Sequence, residues 1–546
     1  MNKLLQFKYF AMIGGFVILA SFSSDKGKYY EIAKNLEIFT NLYKEVNTYY
    51  VDDLDPSELM RKGVDAMLAS LDPYTNYISE TDIEGYRYYT EGKYHGIGAN
   101  VKDAGERLLI TSITKGSPAD IAGLVPGDVV VKIDGQSAQD KKAADLLSVF
   151  QGVPGTSFNI TVKKAGGSTK SLTIKREDVG VNNVPYSGML PNNIGYISLS
   201  VFSRNAAGNI KKALIDLKSA HPNLKGLVLD LRGNGGGLLS EAVDIVNIFE
   251  PADQLVVTTK GKVIEWDRTY ATRGNPVDLD IPLAILTNKN SASASEIVSG
   301  SIQDLDRGVI IGQLTYGKGL VQNTKDLGYN SKVKLTTAKY YIPSKRCIQS
   351  VEYDDDGEPV HIPDSERAVF HTKNGRPVLD GGGITPDIKL AEKTNTPVLK
   401  ALKKQFMIFD FVTEMVKNGE KMDSLELYHF TKFNEFTDFL KKKNFSYDTE
   451  SEKLLKDLIT KGKKEGLTDS FTPNIKAMQA AIDQKKSLEI AQNKSIIISE
   501  IEKELASRMQ YVKGKIKMSL RNDEEVQKAI DILSDDAKYK SILSGK

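Results

Sequence analysis

The chain has 546 residues, more than one hydrophobic core usually organises, so several domains are expected. Hydrophobic residues make up 40% and charged residues 26%, an ordinary globular balance, and the net charge of +2 gives no electrostatic reason to expect a nucleic-acid partner. The single cysteine, Cys347, excludes an intramolecular disulfide and multi-cysteine metal motifs, and no two histidines stand at close ligand spacing.

The first 24 residues have the pattern of a targeting segment. Lys3 and Lys8 precede an uncharged run over residues 9–22, which is short for a membrane span and typical of a signal-peptide core. Ser21 and Ser23 have the small side chains that a signal peptidase needs, so cleavage after Ser23 and an uncleaved membrane anchor are both open. Either interpretation places the body of the protein in the cell envelope, whereas a buried N-terminal helix is the structural alternative.

The rest of the chain changes its periodicity three times. Apolar spacing is helical over residues 25–90, and short β-like runs separated by glycine turns fill residues 91–178. Strands and helices then alternate over residues 179–395, which predicts a layered α/β core. Residues 396–546 are rich in Lys and Glu with helical periodicity, so we expect an accessory helical region that mediates assembly or docking of an adaptor.

A serine-rich segment follows the apolar, strand-like run over residues 281–287. Residues 291–296 read SASASE, and Ser293 and Glu296 have the spacing of a capping box, which needs no function beyond starting a helix. A serine at a helix N-terminus also lies among unpaired N–H groups, and these can stabilise an oxyanion that forms beside it. The segment alone therefore leaves a structural cap and a catalytic nucleophile equally open.

Lys318 stands between two glycines downstream of the serine segment. A lysine amine can activate a serine by taking its proton if burial keeps the amine neutral. Residues 312–319, GQLTYGKG, nearly spell a phosphate-binding P-loop, but that motif needs Ser or Thr after the lysine and a helix beyond it, whereas Gly319 and an extended run follow. Gln322 is four residues from Lys318 and shares its face, so its amide can orient the amine. A solvated hairpin lysine is the alternative.

Two glycine-containing loops offer backbone N–H groups. The run over residues 233–237 fails the dinucleotide fingerprint because Leu238 replaces the third glycine, so it is either a tight turn or a close backbone approach to an oxyanion. Residues 94–98, YHGIG, open the β module, and such a loop either captures the C-terminal carboxylate of a peptide or forms a plain β-turn. Neither signal is specific by itself.

Taken in order, these motifs resemble the C-terminal processing peptidases, also called tail-specific proteases, over residues 30–390. The matching motifs are SLDP at 70–73, GIG at 96–98, GSPA at 116–119 with AGL at 122–124 and GD at 127–128, DLRGNGGG at 230–237, the serine segment, GKGLVQ at 317–322 and GITPD at 383–387. The second and third look like the signature of a PDZ domain.

The resemblance implies a multidomain α+β protein and assigns roles to residues. The implied parts are a signal peptide or membrane anchor over 1–24, an N-terminal helical segment over 25–90, a PDZ domain over 91–178, an α/β protease core of the crotonase-like or ClpP-like layered kind over 179–395, and a C-terminal helical accessory region over 396–546. The implied site residues are the triad Ser293, Lys318 and Gln322, the oxyanion donors Ala294 and Gly235 or Gly236, and the carboxylate-binding loop Gly96, Ile97 and Gly98. Asp304 matches an acidic position of some members and is expected to be structural. Tyr74 stands where many members have His, and the region after residue 396 exceeds the minimal family core.

The sequence therefore predicts a serine endopeptidase of the cell envelope (periplasmic, secreted or anchored in the inner membrane) that cleaves proteins near their C-termini without a metal or organic cofactor. We expect substrates with free C-termini and apolar last residues, a homo-oligomer, and room for an adaptor protein or a membrane anchor, but no nucleic acid. A non-catalytic PDZ scaffold and a small-ligand carrier on the same fold are the alternatives. The Ser, Lys and Gln set argues against both.

Overall fold

The computed structural model describes residues 26–349, 360, 363–392 and 396–545. The predicted signal peptide or anchor over residues 1–24 lies outside these ranges. Within them, the helices are all too short or too polar to cross a membrane. The chain divides into two compact units, Met1–Tyr77 and Ile78–Lys546.

The first unit contains two helices, α1 (Lys26–Tyr49) and α2 (Pro56–Ala69), and the short strand β1 (Asn76–Ile78) follows them. Asp55 starts α2, because its carboxylate accepts the N–H groups of Ser57 and Glu58 and a proline occupies the first helical position. The apolar side chains of α1 are largely exposed. The predicted helix break at Asp72 is a turn, in which the carboxylate accepts two backbone N–H groups.

The β module of the second unit is an antiparallel sheet in the order β3-β4-β5-β7-β8. Its elements, with the helix before it and the strands that flank it, are α3 (Ile83–Thr90), β2 (Lys93–Gly96), β3 (Ala99–Ala104), β4 (Arg107–Ile113), α4 (Pro118–Ile121), β5 (Val129–Ile133), β6 (Gln136–Ser137), α5 (Ala143–Phe150), β7 (Ser157–Lys163), β8 (Thr169–Lys175) and β9 (Glu177–Gly180). Strand β7 buries every second residue, as expected for a sheet with one covered face. Strand β3 is an edge of this sheet, and β2 pairs with β9 where the chain enters and leaves the module.

The α/β core is built on a six-stranded sheet in the order β10-β11-β12-β15-β16-β21, parallel except for β10. Its strands are β10 (Tyr186–Leu190), β11 (Ile194–Ser198), β12 (Gly226–Asp230), β15 (Leu283–Thr287), β16 (Val309–Gly312) and β21 (Ile388–Lys389). Every residue of the three strands β12, β15 and β16 is buried, which explains their continuous apolar sequences, because helices cover both faces.

One face of this sheet packs against α6 (Ala206–Ala220), α7 (Leu239–Phe249) and α8 (Ala294–Asp304). A second, antiparallel sheet joins β17 (Leu320–Gly328), β18 (Ser331–Tyr341), β13 (Leu255–Gly261) and β14 (Arg268–Ala271), and β19 (Val369–His371) pairs with β20 (Pro377–Leu379). Because side chains alternate along a strand, Leu227 and Leu229 join this first face, while Val228 points to the opposite face.

The C-terminal region contains helices and no strand in its described part. Its helices are α9 (Pro397–Lys404), α10 (Met407–Lys417), α11 (Phe433–Lys442), α12 (Glu450–Lys464), α13 (Thr468–Gln492), α14 (Lys494–Ser519), α15 (Glu524–Leu533) and α16 (Asp536–Ser544). Most of its apolar side chains form a core of their own, including Leu402, Phe411 and Ile501. The last two helices instead cover the second face of the central sheet, where Ile530 and Tyr539 join Val228 in one cluster.

This arrangement differs from the expected accessory region, because α15 and α16 complete the α/β core. The C-terminal region also contacts the β module. Arg107 pairs with Asp410 at 2.9 Å, and the Tyr511 hydroxyl donates to Asp120 Oδ1 at 2.8 Å. Helix α14 is kinked at this point, since Tyr511 has a φ of +55°.

Candidate active site

Ser293 lies at the turn between the central strand β15 and helix α8, and its backbone is strained. Its φ of +56° and ψ of −113° are rarely adopted by a residue with a side chain. Such a conformation persists only where the surroundings hold it, and it is common at functional sites. The turn places Ser293 at the carboxyl end of a parallel strand, where α/β proteins commonly carry their sites.

The buried carboxylate of Glu296 holds this turn and the lysine loop together. Its Oε2 accepts the N–H of Ser293 at 2.8 Å and the N–H of Lys318 at 2.9 Å. Its Oε1 accepts the Gly317 N–H at 2.7 Å and the Thr315 hydroxyl at 2.5 Å. Burial raises the pKa of Glu296, although these four hydrogen bonds oppose the shift. The residue that the sequence suggested as part of a helix cap therefore also bonds two segments that are distant in sequence.

The backbone on both sides of Lys318 is fixed by hydrogen bonds. The Gly319 N–H donates to Gln349 Oε1 at 2.8 Å, and the Lys318 carbonyl accepts the Tyr340 hydroxyl at 2.7 Å. A side chain at Gly319 would not fit, because its Cβ would lie 2.6 Å from the Gln349 backbone nitrogen. The structure thus brings Ser293 and Lys318 to the same partners, Glu296 and Tyr340.

Gln322, the third predicted triad residue, lies in β17 opposite Thr336 of β18. Its Nε2 donates to Thr336 Oγ1 at 3.2 Å. This bond orients the amide on the strand that directly continues the Lys318 loop.

The glycine loop packs directly on the Ser293 turn, residues 288–293. A Cβ at Gly236 would lie 2.7 Å from the Ala292 carbonyl oxygen, 2.9 Å from Ser293 Cβ and 3.0 Å from the Ala294 nitrogen, so only glycine fits there. The Gly236 N–H itself donates to Asn234 Oδ1 at 2.9 Å. The loop is therefore close enough to serve the predicted oxyanion site, as the glycine run suggested.

Asn234 was not singled out from the sequence, yet it ties the glycine loop to its surroundings. It is fully buried, and its Nδ2 donates to the Leu199 carbonyl at 2.9 Å. Its own carbonyl accepts the Ser295 hydroxyl at 2.8 Å and the Ala292 N–H at 3.1 Å. The only sequence signal was its position inside the glycine run.

A buried ion pair and a partly buried cluster of charges flank the site. Asp304 pairs with Arg346 at 2.8 Å with both side chains 1% exposed, in agreement with the structural role expected for Asp304. Arg232, next to the glycine loop, bonds Asp230 at 2.6 Å, Asp523 at 2.8 Å and Glu525. Burial would lower the pKa of Arg232, but the three carboxylates outweigh it and hold the pKa above the usual value.

Of the predicted carboxylate-binding residues, Gly96 ends strand β2, where it pairs with Glu177 of β9, and Ile97 and Gly98 form the loop before the edge strand β3. The Ile97 carbonyl accepts the Ala119 N–H at 2.9 Å, and the Gly98 carbonyl accepts the Thr114 N–H at 2.8 Å. Gly98 has a φ of +76°, and a Cβ there would lie 2.3 Å from Ser117 Cβ. Both carbonyls thus bond the module itself, and the free edge of β3 offers a place for an added peptide strand.

Three family models match parts of this chain. The model for peptidase family S41 matches residues 193–358, that for a PDZ domain matches residues 109–164, and that for a probable PDZ-protease C-terminal helical domain matches residues 398–533. A probable CtpA-like serine protease of Staphylococcus aureus (strain COL) is 30% identical over 439 residues, which cover 77% of this chain and 84% of that protein. The chain belongs to peptidase family S41.

Two further matches cover a smaller share of this chain. A probable CtpA-like serine protease of Staphylococcus haemolyticus is 34% identical over 351 residues, which cover 64% of this chain and 63% of that protein. The solved photosystem II D1 C-terminal processing protease is 25% identical, with 67% of this chain and 96% of that chain covered and a TM-score of 0.35. The predicted family, its serine-peptidase class and the α+β fold with a PDZ domain, protease core and C-terminal helical region are confirmed.

Four residues that hold this site together were not predicted from the sequence. They are Asn234, Thr315, Tyr340 and Gln349, each of which bonds Glu296, the lysine loop or the glycine loop. In the described part of the chain, no three His, Cys, Asp or Glu side chains cluster as metal ligands would.

Proposed function

We propose that this S41 serine peptidase cleaves proteins near their C-termini, with Ser293 as nucleophile, Lys318 as general base and Gln322 orienting the lysine amine. The observation that carries the proposal is the Glu296 carboxylate, which accepts the N–H groups of Ser293 and Lys318 on one oxygen. This shared partner supports a site in which the serine and the lysine act together.

In the proposed reaction the neutral Lys318 amine takes the proton of Ser293 Oγ as that oxygen attacks the scissile carbonyl carbon. The oxyanion of the tetrahedral intermediate accepts the N–H of Ala294 and a second N–H from the glycine loop. We assign the second donor to Gly235, because the Gly236 N–H donates to Asn234. Collapse of the intermediate expels the amine of the departing peptide, which receives the proton from Lys318.

Hydrolysis of the acyl-enzyme repeats these roles with water. Lys318 takes a proton from the water as it attacks the ester carbonyl. Collapse of the second tetrahedral intermediate breaks the bond between the carbonyl carbon and Ser293 Oγ, which takes that proton from Lys318 as the carboxyl product leaves. The bond from Gln322 Nε2 to Thr336 supports a role for Gln322 Oε1 as the acceptor that orients the amine.

The PDZ domain would select the substrate by its tail. A C-terminal segment adds to the edge strand β3, and its carboxylate accepts N–H groups of the loop Gly96, Ile97 and Gly98. The inward bonds of the Ile97 and Gly98 carbonyls support this assignment, because they fix the loop. The charged and apolar pattern of residues 1–24 supports a location in the cell envelope.

The experiment is cleavage of a fluorogenic peptide with a free C-terminus and apolar last residues by purified protein. Ser293→Ala should abolish turnover and labelling by a fluorophosphonate, while the thermal midpoint stays near that of the parent. Ser299→Ala is the matched control, since Ser299 is a buried serine of the same helix whose hydroxyl donates to the Ser295 carbonyl. Full turnover by Ser293→Ala would end the nucleophile assignment.

A further inference from the structure

The hydroxyl of Tyr340 lies between the backbones of the two proposed catalytic residues. It donates to the Lys318 carbonyl at 2.7 Å and lies 3.3 Å from the Ser293 carbonyl oxygen. The Tyr340 N–H also donates to the Gly319 carbonyl at 2.9 Å. Tyr340 is only 1% exposed, near the end of strand β18, so its ring is held by the core.

The two carbonyls belong to peptide units that matter for the proposed reaction. A peptide unit is planar and trans, so a bond that fixes the carbonyl also fixes the direction of the N–H on the other side. The Ser293 carbonyl shares its unit with the N–H of Ala294, the proposed oxyanion donor. The Lys318 carbonyl shares its unit with the Gly319 N–H, which donates to Gln349.

The contact of the Tyr340 hydroxyl with the Ser293 carbonyl matters because the backbone of Ser293 is strained. At a φ of +56° the turn would relax without outside contacts, and relaxation would rotate the Ala294 N–H away from the developing oxyanion. The Glu296 carboxylate holds the N–H side of Ser293, whereas the Ser293 carbonyl accepts the helix N–H groups of Glu296 and Ile297 at 2.8 and 2.9 Å and is contacted from the lysine loop's side by Tyr340. The nucleophile residue is thus held at both ends, and the second end is tied to the lysine loop.

We propose that Tyr340 is a positioning residue of this peptidase, whose hydroxyl aligns the oxyanion donor Ala294 with the base Lys318. The inference rests on the proposed function of Ser293 and Lys318. Tyr340 acts through the backbone of these residues, so its effect falls on the transition state and not on the binding of the substrate.

The test is Tyr340→Phe, which removes one oxygen and keeps the ring in the core. We expect kcat to fall roughly 10- to 30-fold with KM within about twofold of the parent value. Affinity for a peptide boronic acid, which forms a tetrahedral adduct with the serine, should fall in parallel with kcat/KM. Affinity for the same peptide as a free acid should not change.

Tyr341→Phe is the matched control. It makes the same chemical change one residue later, on the opposite face of β18, where Lys260 Nζ lies 5.5 Å from the centre of the ring. It should have the kinetics of the parent. Thermal midpoints of both variants show whether the fold is intact.

The outcomes separate this inference from the proposed function. Full turnover by Ser293→Ala in the same assay would defeat the proposed function, whatever Tyr340→Phe does. If Ser293→Ala is inactive but Tyr340→Phe has the parent kcat, the positioning role alone is wrong. A fall in kcat with an equal loss of free-peptide affinity, or with a thermal midpoint lowered so far that the protein is partly unfolded in the assay, would also overturn it, since both indicate a merely structural residue.

Discussion

Replacing Glu296 by Gln should damage the active site far more than the similar sizes of the two residues suggest. The Glu296 carboxylate accepts four hydrogen bonds, two on each oxygen, and it is fully buried. An amide has one acceptor oxygen and one NH₂ donor, so either orientation turns a donor toward two others. One orientation opposes the N–H groups of Ser293 and Lys318, and the other opposes the Thr315 hydroxyl and the Gly317 N–H.

The magnitude follows from these two lost bonds. A buried donor without a partner costs about 1–3 kcal/mol, so the variant should lose roughly 2–6 kcal/mol of unfolding free energy before the structure relaxes. The turn at Ser293 or the lysine loop would move so that the unpaired donors regain part of their hydrogen bonding. A displacement of about 1 Å there can lower the rate roughly 100-fold. We therefore expect kcat to fall at least about 100-fold in protein that is still folded.

The assay is peptide cleavage beside urea denaturation, with Glu241→Gln as the matched control. Glu241 also accepts two backbone N–H groups in this core, from Asn205 at 2.8 Å and from Ala207 at 2.9 Å, but neither belongs to the site. The control should lose about 1–3 kcal/mol of stability and keep its kcat. If Glu296→Gln cleaves as fast as Glu241→Gln, the carboxylate does not hold the site together.

Three further outcomes are expected. Lys318→Arg should be as inactive as Lys318→Ala in steady-state cleavage, because a guanidinium cannot give up its proton, and the parent kcat should fall as the pH drops and the neutral amine is lost. Amidating the C-terminus of a good peptide should raise KM several-fold. Gly98→Ala should remove that difference, since the new Cβ would lie 2.3 Å from Ser117 Cβ. Equal KM values for amidated and free-acid peptides with the parent enzyme would refute tail sensing. A chain ending near residue 396 should be insoluble or unfolded by circular dichroism, because it exposes the face of the sheet that α15 and α16 cover, and a soluble, active truncation would show that they are dispensable.

Much of the fold could be predicted from local patterns, because those patterns have local causes. The continuous apolar runs of β12 and β15 predict strands covered on both faces, and the structure has them in the centre of the sheet. The β-like runs and glycine turns over residues 91–178 predict the small sheet of the PDZ domain. The serine segment marks the beginning of α8, since its backbone must turn sharply there.

The supports of the site could not be predicted, because each joins segments that are far apart in sequence. The capping-box spacing explains why Glu296 accepts the Ser293 N–H. It does not predict that the same carboxylate also accepts the N–H groups of Gly317 and Lys318 in the lysine loop. Tyr340 reads as one of two adjacent aromatic residues in a strand, and only the pairing of β17 with β18 brings its hydroxyl to the Lys318 carbonyl. Hydrophobic periodicity reports which face of an element is buried and not what buries it.

The same limit explains why the sequence assigned the last helices to an accessory region. The apolar face of α15 would read identically whether it packed in a helical bundle or on a sheet. The ion pairs beside α15 favour packing on the sheet, since Arg232, next to the glycine loop, bonds Asp523 and Glu525 at the beginning of that helix. Removing the helix would take away two of the three carboxylate partners of the Arg232 guanidinium and would uncover the apolar face of the sheet that α15 covers. Residues 524–544 therefore belong to the protease core in energy as well as in space, although the residues that we propose for catalysis all precede them.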